Sequence, residues 1–250
     1  MIATRGDISS SSTIQSYTHI LQQLTFHSSK EDDTTDSQPI LHQYDSLYFH
    51  SVSHPGITKE THIDSQGETY NIDRYKLHIS IAPADFEGIK DIINSLLLSA
   101  TQKLVITAYK VANSACLATG LRMANFPFTL YLHDDFDSAN LSDLIDLCLQ
   151  LEKALAQLPS GNRGYLTVSD LPITQHIAFR QAALDKVEYI YAHDKRAPEL
   201  KLAGENSAYY KGLLAALTEN NESTLEAPTF HPEPTDAEET KPAAVRFRYF

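Results

Sequence analysis

Two stretches of this chain set basic side chains into sequence that would otherwise read as plain buried strand. Lys76-Leu77-His78-Ile79-Ser80 alternates polar with aliphatic residues, and in an extended strand alternate side chains share a face. Tyr75, Leu77, Ile79 and Ile81 therefore point one way, and Lys76, His78 and Ser80 the other. A fixed cation and a titratable imidazole project together. Lys110 ends a second apolar run, Leu104 to Tyr109, and Arg122 follows twelve residues later. Cations of this kind hold an anionic group, and a lysine with a histidine can move two protons. Together they are the parts that a metal-free expulsion of phosphate from carbon requires.

The pieces also occur in an order that resembles a known family. Lys76-Leu77-His78-Ile79-Ser80 is followed by Tyr109-Lys110-Val111, by Arg122, by Phe128-Thr129-Leu130-Tyr131 and by Phe179-Arg180. This is similar to the bacterial effector phosphothreonine lyases, the family of OspF and SpvC, over roughly residues 45–215. Phe-Thr-Leu-Tyr alone is merely a good strand; it is the ordered set that is specific. Two departures stand out. Where the family carries a second arginine seven residues after the aromatic–Arg step, this chain has Val187, with Lys186 beside it. A lysine offers a point charge where arginine offers a fork. The basic-then-aliphatic kinase-docking motif is also not evident in residues 1–40.

What the resemblance implies is a β-elimination. The Cα proton of phosphothreonine is removed, phosphate leaves, and dehydrobutyrine remains, with no water consumed and no cofactor or metal required. By the family pattern Lys110 is the base and His78 the acid. Lys76, Arg122 and Arg180 clamp the phosphate, with Lys186 as the substitute charge, and Tyr131 holds phosphate or orients Lys110. A lysine, with an ordinary pKa of about 10.4, serves as base only if burial and neighbouring cations disfavour its protonated form. An imidazole, ordinarily near 6.5, can donate at neutral pH. The implied partner is a phosphorylated host kinase of the MAP kinase class, reached through a secretion machinery and met in the host cytoplasm or nucleus. Neither nucleic acid nor membrane is expected as a partner.

Each residue also has an ordinary structural use. A strand histidine is usually packed, a lysine at a strand exit is usually solvated, an arginine can cap a helix, and a tyrosine in an aromatic strand is usually core. A phosphopeptide-binding module that lost turnover, or a lyase acting on another phosphoprotein, would use the same clamp. His42, His50, His54 and His62 invite a metal, but their spacing of 8, 4 and 8 fits no compact zinc pattern. Cys116 and Cys148 fall in apolar helical patterns and read as buried thiols rather than a disulfide or nucleophile.

Positioning these side chains needs a core, and 250 residues with 42% hydrophobic content supply one. The formal charge of −12 argues against nucleic acid. Residues 1–40, Ser/Thr-rich and acidic, read as a flexible leader; 219–250, acidic and proline-dotted, read as a disordered tail ending in Val245-Arg246-Phe247-Arg248-Tyr249-Phe250. Its Glu238-Glu239-Thr240 cluster has the composition of a secretion signal. The domain between, 41–218, reads as strands at 46–53, 69–81, 103–109, 126–133, 164–169 and 176–179. Helices are expected from Phe86 to Leu97, from Leu141 to Leu155 with Asn140 as N-cap, and over 199–218. Helices scattered among paired strands give an α+β fold: one mixed domain, an antiparallel-rich sheet with packed helices. Deleting 1–40 and 219–250 together should therefore leave the thermal midpoint of the core unchanged. Loss of a cooperative melt would mean that an end joins the core.

Overall fold

The computed structural model describes residues 39–57, 61–63, 69–71, 74–118, 126–134, 140–158, 169–184 and 195–219, with backbone alone for 61–63 and 69–71. The leader at 1–38, nearly all of the tail and the strand expected at 164–168 lie outside those residues. The described part is an α+β domain. Strands β1 (His42–Asp45), β2 (Phe49–Ser53), β5 (Tyr75–Ile79), β6 (Ala108–Ala112), β7 (Phe128–Tyr131), β8 (Leu171–Pro172) and β9 (Ile177–Gln181) form a seven-stranded sheet in the order β1-β2-β6-β7-β5-β9-β8. Every neighbouring pair is antiparallel. A separate hairpin joins β3 (Thr61–Ile63) to β4 (Thr69–Asn71).

One row of the sheet sets its register. Val52, Tyr109, Leu130, Leu77, Phe179 and Leu171 lie opposite one another across six strands, and all six are buried. The helical layer covers this face. Helix α1 (Phe86–Gln102) turns Phe86, Ile89, Ile93 and Leu97 inward, and Phe86 packs on Phe128 with ring centroids 5.5 Å apart. Tyr109 sends its hydroxyl to Asn94 of α1 at 2.9 Å. Burial pushes that phenol up to about 12. Helix α2 (Ser114–Ala118) is short. Helix α3 (Leu141–Leu155) starts as its sequence says, with the Asn140 side chain accepting from the Asp143 N–H at 3.3 Å. No helix of the described residues is long and apolar enough to cross a membrane.

Three boundaries differ from the sequence expectation. The run 69–81 holds two strands, β4 and β5, rather than one. The helix expected over 199–218 is two, α4 (Ala197–Asn206) and α5 (Ala208–Glu219). Ser207 divides them: its extended backbone ends α4, while its Oγ accepts from the Tyr210 N–H at 3.1 Å and its carbonyl from Lys211 at 3.2 Å. A serine hydroxyl at an N-cap stabilises a new helix start more than it would a continued one. The run 103–109 is a strand only from Ala108. Its first residues end α1 instead: the Leu104 N–H bonds to Thr101 O at 3.1 Å and Val105 N–H to Ala100 O at 2.9 Å, with Leu104 at φ 56°. That is the bonding of a Schellman motif with leucine where glycine is usual. A left-handed L-residue costs about 1–2 kcal/mol. Leu104→Gly should accordingly leave stability unchanged or raise it by about 1 kcal/mol in a denaturant melt, against the loss that glycine brings inside a helix. A net destabilisation would mean that the half-buried leucine side chain outweighs the strain.

Candidate active site

Turning each strand by one residue from the buried row gives the opposite face and a polar row. Lys110, Thr129, His78 and Ala178 are direct cross-strand partners on β6, β7, β5 and β9. One step along the strands a second row runs Ala108, Tyr131, Lys76, Arg180. Neighbouring strands lie about 4.8 Å apart, so the Lys110 and His78 backbones stand about 10 Å apart with Thr129 between them. The one side chain that intervenes between them, Thr129, is small.

The second row is cationic. Lys76 and Arg180 sit side by side at 7% and 6% exposure, which is rare for these residue types and costly unless matched by an anion or partner. Tyr131 lies between the two lysines. Lys76 Nζ is 4.9 Å and Lys110 Nζ 5.2 Å from the centre of its ring. Cations over a phenol face gain about 0.5–2 kcal/mol each, so the ring gathers both ammonium groups on one patch.

His78 is oriented from two sides. Its Nδ1 lies 3.2 Å from Oδ1 of Asp170, whose side chain is fully buried. A carboxylate only accepts, so Nδ1–H donates to it and Nε2 is turned to the opposite side of the ring. Phe126 lies against the imidazole with centroids 5.4 Å apart. An Asp–His pair of this kind fixes the tautomer and ring plane. Asp170 is ninety-two residues from His78 and belongs to no motif, so the sequence reading missed it. A buried aspartate before a short strand leaves no local pattern to find.

Of the residues nominated from sequence, Lys76, His78, Lys110, Tyr131 and Arg180 share one face of the sheet. Arg122, Lys186 and Val187 lie outside the described residues. Among the described residues no three His, Cys, Asp or Glu side chains converge as a metal ion would need. Both cysteines are buried free thiols.

With this geometry in hand, comparison with known proteins separates fold from sequence. No protein-family model matches the sequence, and neither does any curated protein. Solved structures do match. The type III effector and phosphothreonine lyase OspF from Shigella flexneri superposes with a TM-score of 0.51 at 16% identity, covering 82% of this chain and 100% of that one. The chain has the OspF fold. The phosphothreonine lyase effector VirA (SpvC) of Chromobacterium violaceum is similar at TM-score 0.46 and 14% identity, over 81% and 97% of the two chains. SpvC from Salmonella is similar at 0.41 and 13%, over 81% and 98%.

The thiols give a check on where reactivity lies. Burial and the Glu152 charge push Cys148 up to about 12, and burial raises Cys116. The thiolate is the reactive form. Neither cysteine should be alkylated by iodoacetamide at pH 8 while the protein is folded, and both should react in guanidinium. Rapid native labelling by mass spectrometry would show an open, activated thiol and reinstate a nucleophile.

Proposed function

We propose that this chain is a phosphothreonine lyase that acts by β-elimination, delivered as a secreted bacterial effector. The observation that carries the reading is the double row: Lys110 and His78 facing each other across Thr129, beside Tyr131, Lys76 and Arg180. Likeness to OspF in fold agrees with it.

The chemistry maps onto the rows atom by atom. Phosphate oxygens go to the cationic row, where each charge-assisted hydrogen bond from Lys76 or Arg180 contributes roughly 1.5–3 kcal/mol. Arg122 and Lys186 add to the clamp in this reading. The substrate Cα and Cβ then lie over Thr129. Neutral Lys110 takes the Cα proton, and that electron pair becomes the Cα=Cβ bond. The Cβ–O bond breaks, and the departing phosphate takes its bond electrons and a proton from His78. Asp170 holds the imidazole so that Nε2 meets the bridging oxygen. Clamp interactions that strengthen as charge builds on the leaving group lower the barrier. The product is dehydrobutyrine and inorganic phosphate, with no water and no cofactor in the balance.

We further assign the substrate to phosphothreonine in host signalling kinases of the MAP kinase class, in the host cytoplasm or nucleus. The cationic clamp of an otherwise acidic protein supports a phosphorylated substrate in general. The kinase class rests on the motif resemblance alone.

Mass spectrometry of a phosphothreonine activation-loop peptide should show loss of the mass of phosphoric acid, leaving a dehydrated residue. Loss of only a metaphosphate unit, restoring threonine, would mean hydrolysis and would overturn the assignment. Lys110→Ala should abolish turnover yet retain phosphopeptide binding through Lys76 and Arg180. His78→Ala should lose about 10²–10⁴-fold, the usual worth of general acid help. Wild-type rates in Lys110→Ala would place the base elsewhere.

A further inference from the structure

Glu152 occupies a position that helix α3 itself does not favour. It lies in the last turn, where the helix dipole disfavours negative charge, and its side chain is 13% exposed. Burying a carboxylate costs several kcal/mol unless donors compensate. Here the donors all come from one tight turn outside the helix. The Thr174 hydroxyl donates to Oε1, the His176 backbone N–H to the same oxygen at 2.9 Å, and His176 Nδ1 lies 2.9 Å from Oε2. That turn is further closed by Ile177 N–H to Thr174 Oγ1 at 3.0 Å and Ile173 N–H to Ile177 O at 3.0 Å.

The turn is the bend of the β8–β9 hairpin, and both arms of the hairpin carry site residues. Asp170 immediately precedes β8, and Arg180 stands on β9. β8 has only two residues, one of them proline, and sits at the sheet edge. A two-residue edge strand in which proline cannot donate holds register weakly. Something besides the ladder must fix Asp170 against His78. Tyr210 of α5 contributes one bond, its hydroxyl to Pro172 O at 3.3 Å. Glu152 contributes three. The turn is in turn bonded to the catalytic strand: the His176 carbonyl accepts from the N–H of Ser80 at 2.7 Å, two residues beyond His78. The Glu152 carboxylate therefore ties the hairpin bend to α3, and the Ser80–His176 bond ties the same bend to β5.

We propose that Glu152 is a positioning residue for the elimination: by anchoring the Thr174–His176 turn it holds Asp170 on His78 and Arg180 beside Lys76. The assignment rests on the lyase reading for its consequence, and on the hydrogen bonds alone for its geometry.

The test separates the two. In Glu152→Ala, hydrogen exchange should accelerate at the amides of Ile173, Thr174, Ile177 and Ser80, while those of α1 keep their protection. Turnover of phosphothreonine peptide per folded molecule should fall about 10–100-fold, the scale of a misplaced catalytic group, with kcat losing more than KM. Glu152→Gln keeps an acceptor for Thr174 and the His176 amide and should restore most of both. Ile93→Val, which trims the core without touching the turn, should leave kcat unchanged at reduced stability. The proposal is overturned if the turn amides stay protected in Glu152→Ala, if they open while kcat holds, or if Ile93→Val lowers kcat equally. A wild-type protein that binds the peptide without converting it removes the lyase reading and the catalytic part of this one. The exchange result then decides only whether Glu152 anchors the turn.

Discussion

Everything at the site depends on one register. Six strands align Val52, Tyr109, Leu130, Leu77, Phe179 and Leu171 into a single buried row, and the polar residues lie one position away from it. Because side chains alternate with a period of two, a slip by one residue on β5, β6 or β9 would turn a cation toward the helix-covered core and a core side chain toward the polar face. The apolar row is what makes such a slip expensive: burying one Leu or Phe contributes roughly 1.5–3 kcal/mol. The helices need not touch Lys76, His78 or Lys110 to position them. They need only cover Leu77, Leu130 and Tyr109.

On the other face the balance runs the other way. Lys76, His78, Asp170 and Arg180 are all buried, and each costs desolvation. Lys76 leans on the Tyr131 ring, and the imidazole on Asp170 and Phe126. These contacts reduce the cost and also remove rotamer freedom before any substrate arrives. A site whose charges are held beforehand spends less on reorganisation during reaction, and it does so at the expense of stability. The continuous core beneath is the source of that margin.

How far this was legible from sequence follows from range. Lys76-Leu77-His78-Ile79-Ser80 declares its two faces by itself, because alternation is local. Asn140 announces the start of α3 for the same reason. Leu104 does not: nothing in an apolar run says that its first residues will close a helix in a left-handed turn, since glycine, the usual marker, is missing. Ser207 was likewise hidden inside a helical period. Strand β1, exposed along its whole length, has no apolar pattern and was not expected as a separate strand. Asp170 and Glu152 matter through partners ninety-two and at least twenty-two residues away. Such pairs exist only once the sheet order is known, and no periodicity records them.

Sheet order also explains why Lys110 and His78 stand as far apart as they do. β5 and β6 are each antiparallel to β7, so they run parallel to one another with a gap of one strand. A parallel return requires a crossover, and α1 supplies it between Ile79 and Ala108. That crossover brings Lys110 to the level of His78 without making them neighbours. β7 then fills the gap and presents Thr129 at the midpoint and Tyr131 one step along. Had β5 and β6 paired directly, lysine and imidazole would face each other about 5 Å apart. The intervening strand doubles that separation and puts a threonine at its midpoint.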